Sequence, residues 1–337
     1  MPTISIERIC PQAGVPGGRV RVECRGLDPQ ALDACALVFG TTPTRPVLAT
    51  PTLVVGVVPA ESEATTVCLV QDGRRSSAVP FVVATPLADN LHPVANPAVD
   101  AQGVIYTTVS GTGGQEVPVS VYRISPYGEV EPFASGIINA TGLALGPDGD
   151  LYVSSRHDGT VYRIDATGTV TPFAEQLGLA TGLAFDALGR LYVGDRRGVI
   201  YQVLEPGTAR VFARLEPSVA AYHLAFGDDD LLYVSYSTLC GDDRIYRITP
   251  DGEVEVYASG LGRAQGLAFD ADHNLYVVAH YEGQGGIVCI TPDGRIEPVV
   301  SGVNLVGLAF GADGDLIVVD HSTVYRLALG VRGRPLP

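Results

Sequence analysis

Residues 139–164 read NATGLALGPDGDLYVSSRHDGTVYRI. A Gly-Leu-Ala start leads into an Asp-Gly turn, then a Leu-Tyr-Val strand and a Val-Tyr-Arg-Ile strand. Asp-Gly between alternating apolar runs signals a hairpin, because Gly takes the positive φ the turn needs and Asp hydrogen-bonds its own backbone. Much the same sentence recurs: NPAVDAQGVIYTT from residue 96, GLAFDALGRLYVGD from 182, HLAFGDDDLLYVSY from 223, GLAFDADHNLYVVA from 266 and GLAFGADGDLIVVD from 307. These starts, with the one at 142, lie 40 to 46 residues apart. Most copies run on into a third strand, such as RIYRI or TVYRL, and a fourth, such as EVEPFASG or EVEVYASG. Four short strands in about 40 residues is the size of one propeller blade, a unit that buries its faces only by stacking on neighbours. The six copies predict six blades around an axis.

The sixth copy ends at TVYRLALGV without a fourth strand, while residues 82–91, VVATPLADNL, read like the fourth strand of other copies. This segment is expected to close the sixth blade, removing an exposed strand edge and holding the preceding region against that closing blade. Residues 1–84 read as short alternating strands (TISIER, RVRVEC, CALVFG, TLVVGVV, TTVCLVQ, VPFVVA) separated by turn-rich segments. With no helical period among them, they predict a small β-sandwich. The fold expected is all-β, with a sandwich over 1–84 followed by a six-bladed β-propeller over 85–337.

Two resemblances sharpen this. The opening ISIERICPQAGVPGGRVRVECRG, with LVFG, VVGVVP and AVPFVV after it, resembles the IPT/TIG domain, an immunoglobulin-like module. Such modules serve as spacers or interaction surfaces, which implies no catalysis in this part. TGLALGPDGDLYVSS and TGLAFDALGRLYVGD resemble NHL-type repeats and, more broadly, the six-bladed propellers of the senescence marker protein/gluconolactonase superfamily. That architecture hosts lactonases, lyases and binding proteins, so it implies fold rather than activity.

Composition narrows the function classes. Net charge is −15 and every one of the 22 basic residues is Arg, without a basic cluster beyond pairs such as Arg74-Arg75 and Arg196-Arg197. An acidic surface repels a phosphate backbone, so nucleic acid is not an expected partner. No apolar run approaches a membrane span. The first residues lack the basic head and apolar stretch of a signal peptide, so a cytoplasmic location is the default expectation, with export if a leader has been trimmed. Cys10, Cys24, Cys35 and Cys68 fall early, outside any Cys-x-x-Cys pair; free buried thiols are expected, although three disulfide pairings are open to four cysteines.

Propellers bind ligands at a mouth of the central channel, and two columns of residues are candidates there. The residue before each inner-strand start can face the channel: Ala95, Thr141, Thr181, Tyr222, Gln265 and Val306, with Asn96 and His223 replacing Gly in two copies. In the gluconolactonase-like enzymes a Glu, an Asn and an Asp at such positions hold a divalent cation. This column contains no carboxylate, so the metal triad does not carry over, and Asn96 is its nearest remnant. A zinc site of the peptidylamidoglycolate-lyase kind fails too, since His223 is the one histidine at a blade start and His92 lies upstream. The second column follows the second strands: Ser155-Arg156, Asp195-Arg196, Ala279-His280 and Asp320-His321. Asp195, Asp320, His223, His280 and His321 are the candidate catalytic groups, with Asp195 and Asp320 the weak metal candidates. Asn96, Thr141, Arg156, Thr181, Arg196, Tyr222 and Gln265 are the candidate ligand-binding residues.

Gly-rich loops (SGTGGQEVPVS, STLCGDDR and HYEGQGG) crown the same mouth, with Asp242, Asp243 and Glu282 adding negative charge. No cofactor is indicated outright; calcium is the divalent cation these loops would hold if any. The Asp-rich turns GPDGD, DALGR, DADHN and GADGD are read as hairpin chemistry rather than calcium loops. The leading expectation is a binding propeller recognising a small polar ligand, a glycan or a protein. The alternatives are a lactonase-type hydrolase with Asp195, Asp320, His223 and Asn96 around a cation, and a lyase with His280 or His321 as base beside Arg156 or Arg196.

Overall fold

A computed structural model describes residues 3–60, 62, 64–111, 114–239, 243–311 and 313–335. Among them there is no α-helix, only a 3-10 turn at Leu32–Ala34, and no helix long and apolar enough to cross a membrane.

Six sheets form the ring. The first four are each built from one contiguous run of chain: Ala98–Val99 to Val130–Ala134, Ala140–Leu145 to Val170–Ala174, Ala180–Phe185 to Thr208–Arg214, and His223–Phe226 to Val254–Leu261. The fifth runs from Leu267–Phe269 to Ile296–Ser301, and the sixth from Gly307–Phe310 to Val324–Leu327. Each innermost strand touches the next, and the sixth touches the first, so the β-propeller is closed. Thr85–Ala88 pairs antiparallel with Val324–Leu327 and supplies the outer strand of the sixth sheet, as the sequence predicts.

The repeated sentence works through its turn and its tyrosine. The carboxylate of Asp186 accepts from the backbone N–H groups of Leu188 and Arg190 at 3.0 and 2.8 Å, and Asp270 does the same for Asp272 and Asn274. In the second and fourth blades the turn Asp also accepts the tyrosine hydroxyl of the following strand, Tyr152 to Asp148 at 2.9 Å and Tyr233 to Asp229 at 2.8 Å. These acidic turns are hairpin chemistry.

Ahead of the ring, Ser5–Cys10, Arg19–Arg25, Leu53–Val57 and Leu48–Ala49 form one sheet. Cys35–Phe39, Thr66–Gln71 and their short neighbours form a second, and Val22, Leu37, Phe39, Val54, Leu69 and Phe81 fill the space between the two. Cys10, Cys24, Cys35, Cys68 and Cys289 are free thiols; Cys240 lies outside the described residues.

The early segment lies against the sixth blade, with Ala13, Val15 and Ala84 packed on Leu316 and Val318, but its strands also extend the fifth, which the sequence reading did not expect. Ala13–Gly14 pairs parallel with Ile296–Ser301 of the fifth blade, and Val82–Val83 pairs parallel with Ala13–Gly14, giving a six-stranded sheet. The segment 82–91 is thus divided between two blades: its first residues extend the fifth and Thr85–Ala88 closes the sixth. The reason is edge coverage, since the fifth blade's outer strand would otherwise present unpaired backbone.

Candidate functional site

Strand pleat decides which residues meet the channel. The residue before the Gly-Leu-Ala start points into the seam between blades. Thr141 and Thr181 are about 1% exposed or less. Thr141 donates to Asn139 O at 2.9 Å, and Thr181 donates to Gly194 O and accepts from Tyr222 N at 3.0 and 3.1 Å. Tyr222 is fully buried, donates its hydroxyl to Glu216 O and lies 4.8 Å, centroid to centroid, from Tyr236. The expected channel column is therefore displaced by one residue, and none of Thr141, Thr181, Tyr222 or Gln265 lines the channel.

The channel is a cavity of about 230 Å³ walled by Leu, Ala and Phe side chains of the inner strands, with Asn96 and His223 along it and Arg334 and Pro335 at the hairpin end. Asn96 ties blades together, donating to Leu267 O at 3.0 Å and accepting from Leu308 N at 3.1 Å. His223 is 4% exposed, and burial lowers its pKa to about 4, so the ring is neutral.

Both candidate carboxylates hold loops. Asp195 is 2% exposed and accepts from Leu179 N at 2.9 Å and Arg197 N at 3.0 Å. Asp320 accepts from Ser322 N at 2.8 Å and Thr323 N at 2.7 Å, and its other oxygen accepts from the Tyr325 hydroxyl at 3.3 Å. Asp243 is buried as well, accepting from Thr238 N and Ala264 N; Asp242 lies outside the described residues, as do Thr112 and Gly113 in the first blade's loop. The four groups of the hydrolase reading are thus divided: Asn96 and His223 border the channel, while Asp195 and Asp320 cap loops. Among the described residues no group of three or more His, Cys, Asp or Glu side chains is gathered so as to hold a metal ion.

The cationic residues are placed differently. Arg156 of the second blade donates to Ser110 Oγ at 3.2 Å, and Ser110 in turn donates to Asn139 Oδ1 at 3.4 Å. Arg196 of the third blade is held by backbone, its Nη2 donating to Val219 O at 2.9 Å. Neither guanidinium forms an ion pair among the described residues. Burial, and then the nearby Arg196 charge, lower the Arg156 pKa. Two positive groups thus act on one another in a strongly acidic protein, and among the described residues neither is paired with a carboxylate. His280 and His321 are exposed; His280 borders a small cleft with Arg263, Gln265 and Asn304.

Sequence reasoning did not find the seam hydroxyls. Thr108 donates to Thr141 O at 2.9 Å, Ser154 to Thr181 O and Ser235 to Gln265 O, each latching one blade to the next. The signal was a Ser or Thr at the fourth position of the second strand, as in LYVSS. Nor did it find Arg334, whose side chain donates to Phe226 O and pairs with Asp228.

Several solved structures share this architecture. An auxiliary nutrient binding protein from Bacteroides ovatus matches 97% of this chain and 98% of its own, at 15% identity and a TM-score of 0.56. A putative gluconolactonase matches 75% of this chain and 93% of its own, at 19% identity and a TM-score of 0.60. A streptogramin B lyase structure matches 78% and 86%, at 18% identity and a TM-score of 0.52. No family model and no curated protein matches the chain. The likeness is one of fold: a β-propeller shared by binding proteins, gluconolactonase-like proteins and lyases.

Proposed function

We propose that the protein is a binding propeller that recognises a small polar ligand, such as a glycan bearing an acidic group, at the loop-side mouth of the ring. The observation that carries this reading is the Arg156–Arg196 pair, two guanidiniums on adjacent blades with no carboxylate partner among the described residues. Guanidinium presents a fork of donors that suits carboxylate or phosphate oxygens, and Arg156, already partly desolvated, loses less water when a ligand arrives. The likeness to a nutrient binding protein over nearly the whole chain is consistent with it. Residues 1–84 form an IPT/TIG-like unit that serves as spacer or second surface, and residues 85–337 carry the NHL-type ring.

A lactonase-type hydrolase has less support, because its two candidate carboxylates are engaged by loop N–H groups. A lyase would need His280 or His321 beside the arginines, and no contact joins them.

Isothermal titration of the full chain with paired neutral and uronate-bearing oligosaccharides, repeated on Arg156→Gln and Arg196→Gln, tests the proposal. The acidic member of a pair should bind more tightly, and each substitution should weaken it by roughly tenfold or more, the loss expected for a charge-assisted hydrogen bond. If no oligosaccharide binds while the protein hydrolyses lactones in calcium, the hydrolase reading replaces this one.

A further inference from the structure

The channel is distinct from the loop face, since neither Arg156 nor Arg196 lines it. The side chains of its wall are mostly apolar, backbone groups add polar surface, and its polar side chains are mostly satisfied. Asn96 has both ends of its amide engaged. Arg334, at the hairpin-side rim, pairs with Asp228 and donates to Phe226 O. His223 is the exception: it forms no hydrogen bond to the described residues, yet its nitrogens are not sealed from solvent-sized space. A 96% buried imidazole therefore presents an unused donor and an unused acceptor to the cavity.

The fold does not call for a side chain there. Gly142 and Gly182 occupy the matching place in other blades, where an added Cβ would run into Thr181 O and Tyr222 O of the next blade. His223 breaks that pattern, and the Asn96 of the first blade is used for bridging. A volume of about 230 Å³ exceeds the roughly 150 Å³ in which an apolar cavity can take up benzene. Among the described residues a charged molecule would find no free counter-charge, because the Arg334 guanidinium is already matched by Asp228.

We propose that the channel is a second binding site, taking a compact, uncharged, mostly apolar molecule whose single hydroxyl or comparable polar group pairs with the His223 imidazole. The molecule enters from the hairpin face, beside the C-terminal segment. That segment crosses this face from Val331 N, which donates to Gly314 O at 3.1 Å, through Arg332 O, which accepts from Ala271 N at 2.9 Å, to Arg334 N, which donates to Phe269 O at 3.1 Å.

Phenol, neutral at pH 7, is the probe, with benzene as its apolar counterpart, and the ring signals of the six histidines in isotope-labelled full-length protein are the readout. Phenol should move the His223 signals saturably and leave the other five nearly still. It should bind roughly tenfold more tightly than benzene, and His223→Ala should remove that preference while benzene still binds. Ala268→Leu, which narrows the channel and leaves His223 in place, should abolish both. The proposal is overturned if saturating phenol leaves the wild-type His223 signals unmoved, which needs no variant to fold. It is also overturned if a folded Ala268→Leu protein binds phenol as before.

Discussion

His223 takes the place that glycine holds at 142, 182, 266 and 307, and its burial has a consequence in solution. The folded protein refuses a proton until pH falls to about 4, whereas the unfolded chain accepts one near the ordinary 6.5. The stability this neutral ring contributes is therefore full above pH 6.5 and is lost as pH falls from 6.5 towards 4. At 1.36 kcal/mol per unit the loss is roughly 3 kcal/mol. Among the described residues, Arg334 is the only other ionisable side chain lining the channel. Urea unfolding at about pH 7 and pH 4.5 should show His223→Gln losing less stability on acidification than the wild type by that order, and equal losses would contradict the buried neutral ring. The sequence marked His223 as unusual because it interrupts a repeat. It could not show that Asp195 and Asp320 cap loops, because a letter after a strand reads the same whether its carboxylate meets a metal or the N–H of Leu179.

At the scale of the blade, the seams that follow the second and fourth blades each combine an aromatic sandwich with a hydroxyl latch. Tyr152 lies edge-on between Phe173 of its own blade and Phe185 of the next, both 4.9 Å away, and Tyr192 repeats this with Phe212 and Phe226. Ser154 accepts from Gly142 N at 2.9 Å while donating to Thr181 O across the seam. Ser154→Ala leaves both backbone groups buried and unpaired, and it should cost about 1–3 kcal/mol in urea unfolding. In the third blade the latch position is Gly194, and Tyr222 fills the space: a Cβ there would sit 2.8 Å from Tyr222 Cβ and 3.0 Å from Leu224 Cδ1. Gly194→Ser should therefore destabilise, by about 1–3 kcal/mol from overpacking, rather than add a fourth latch. If it stabilised, Tyr222 would not be the group that replaces the hydroxyl. Strands and turns were legible because alternation and Asp-Gly are local signals. The one-residue shift of the channel column was not, because it depends on which side of the pleat meets the next blade.

Over the whole molecule, the chain is tied at two adjacent blades rather than one. Thr85–Ala88 closes the sixth blade and Ala13–Gly14 is spliced onto the fifth, where Val15 N donates to Ser301 O at 2.9 Å. Ala13, Val15 and Ala84 pack in one cluster with Tyr276, Val278 and Val300 of the fifth blade and Leu316 and Val318 of the sixth. The splice was invisible in the sequence because a two-residue strand has no period, and its partner Ser301 lies 288 positions from Ala13. A shared sheet and a shared core couple the early sheets to the ring, so calorimetry of the intact chain should show a single unfolding transition. Gly14 is the point at which to separate them. A side chain there would meet Ser301 Oγ and lie 2.8 Å from Val58 Cγ2, so Val cannot fit without parting the two surfaces. Gly14→Val should split the calorimetric trace into two transitions, because each part retains a core of its own once the parallel pairing is lost. Two transitions already present in the wild type would mean that the splice only touches the fifth blade and does not bind the two parts into one cooperative unit.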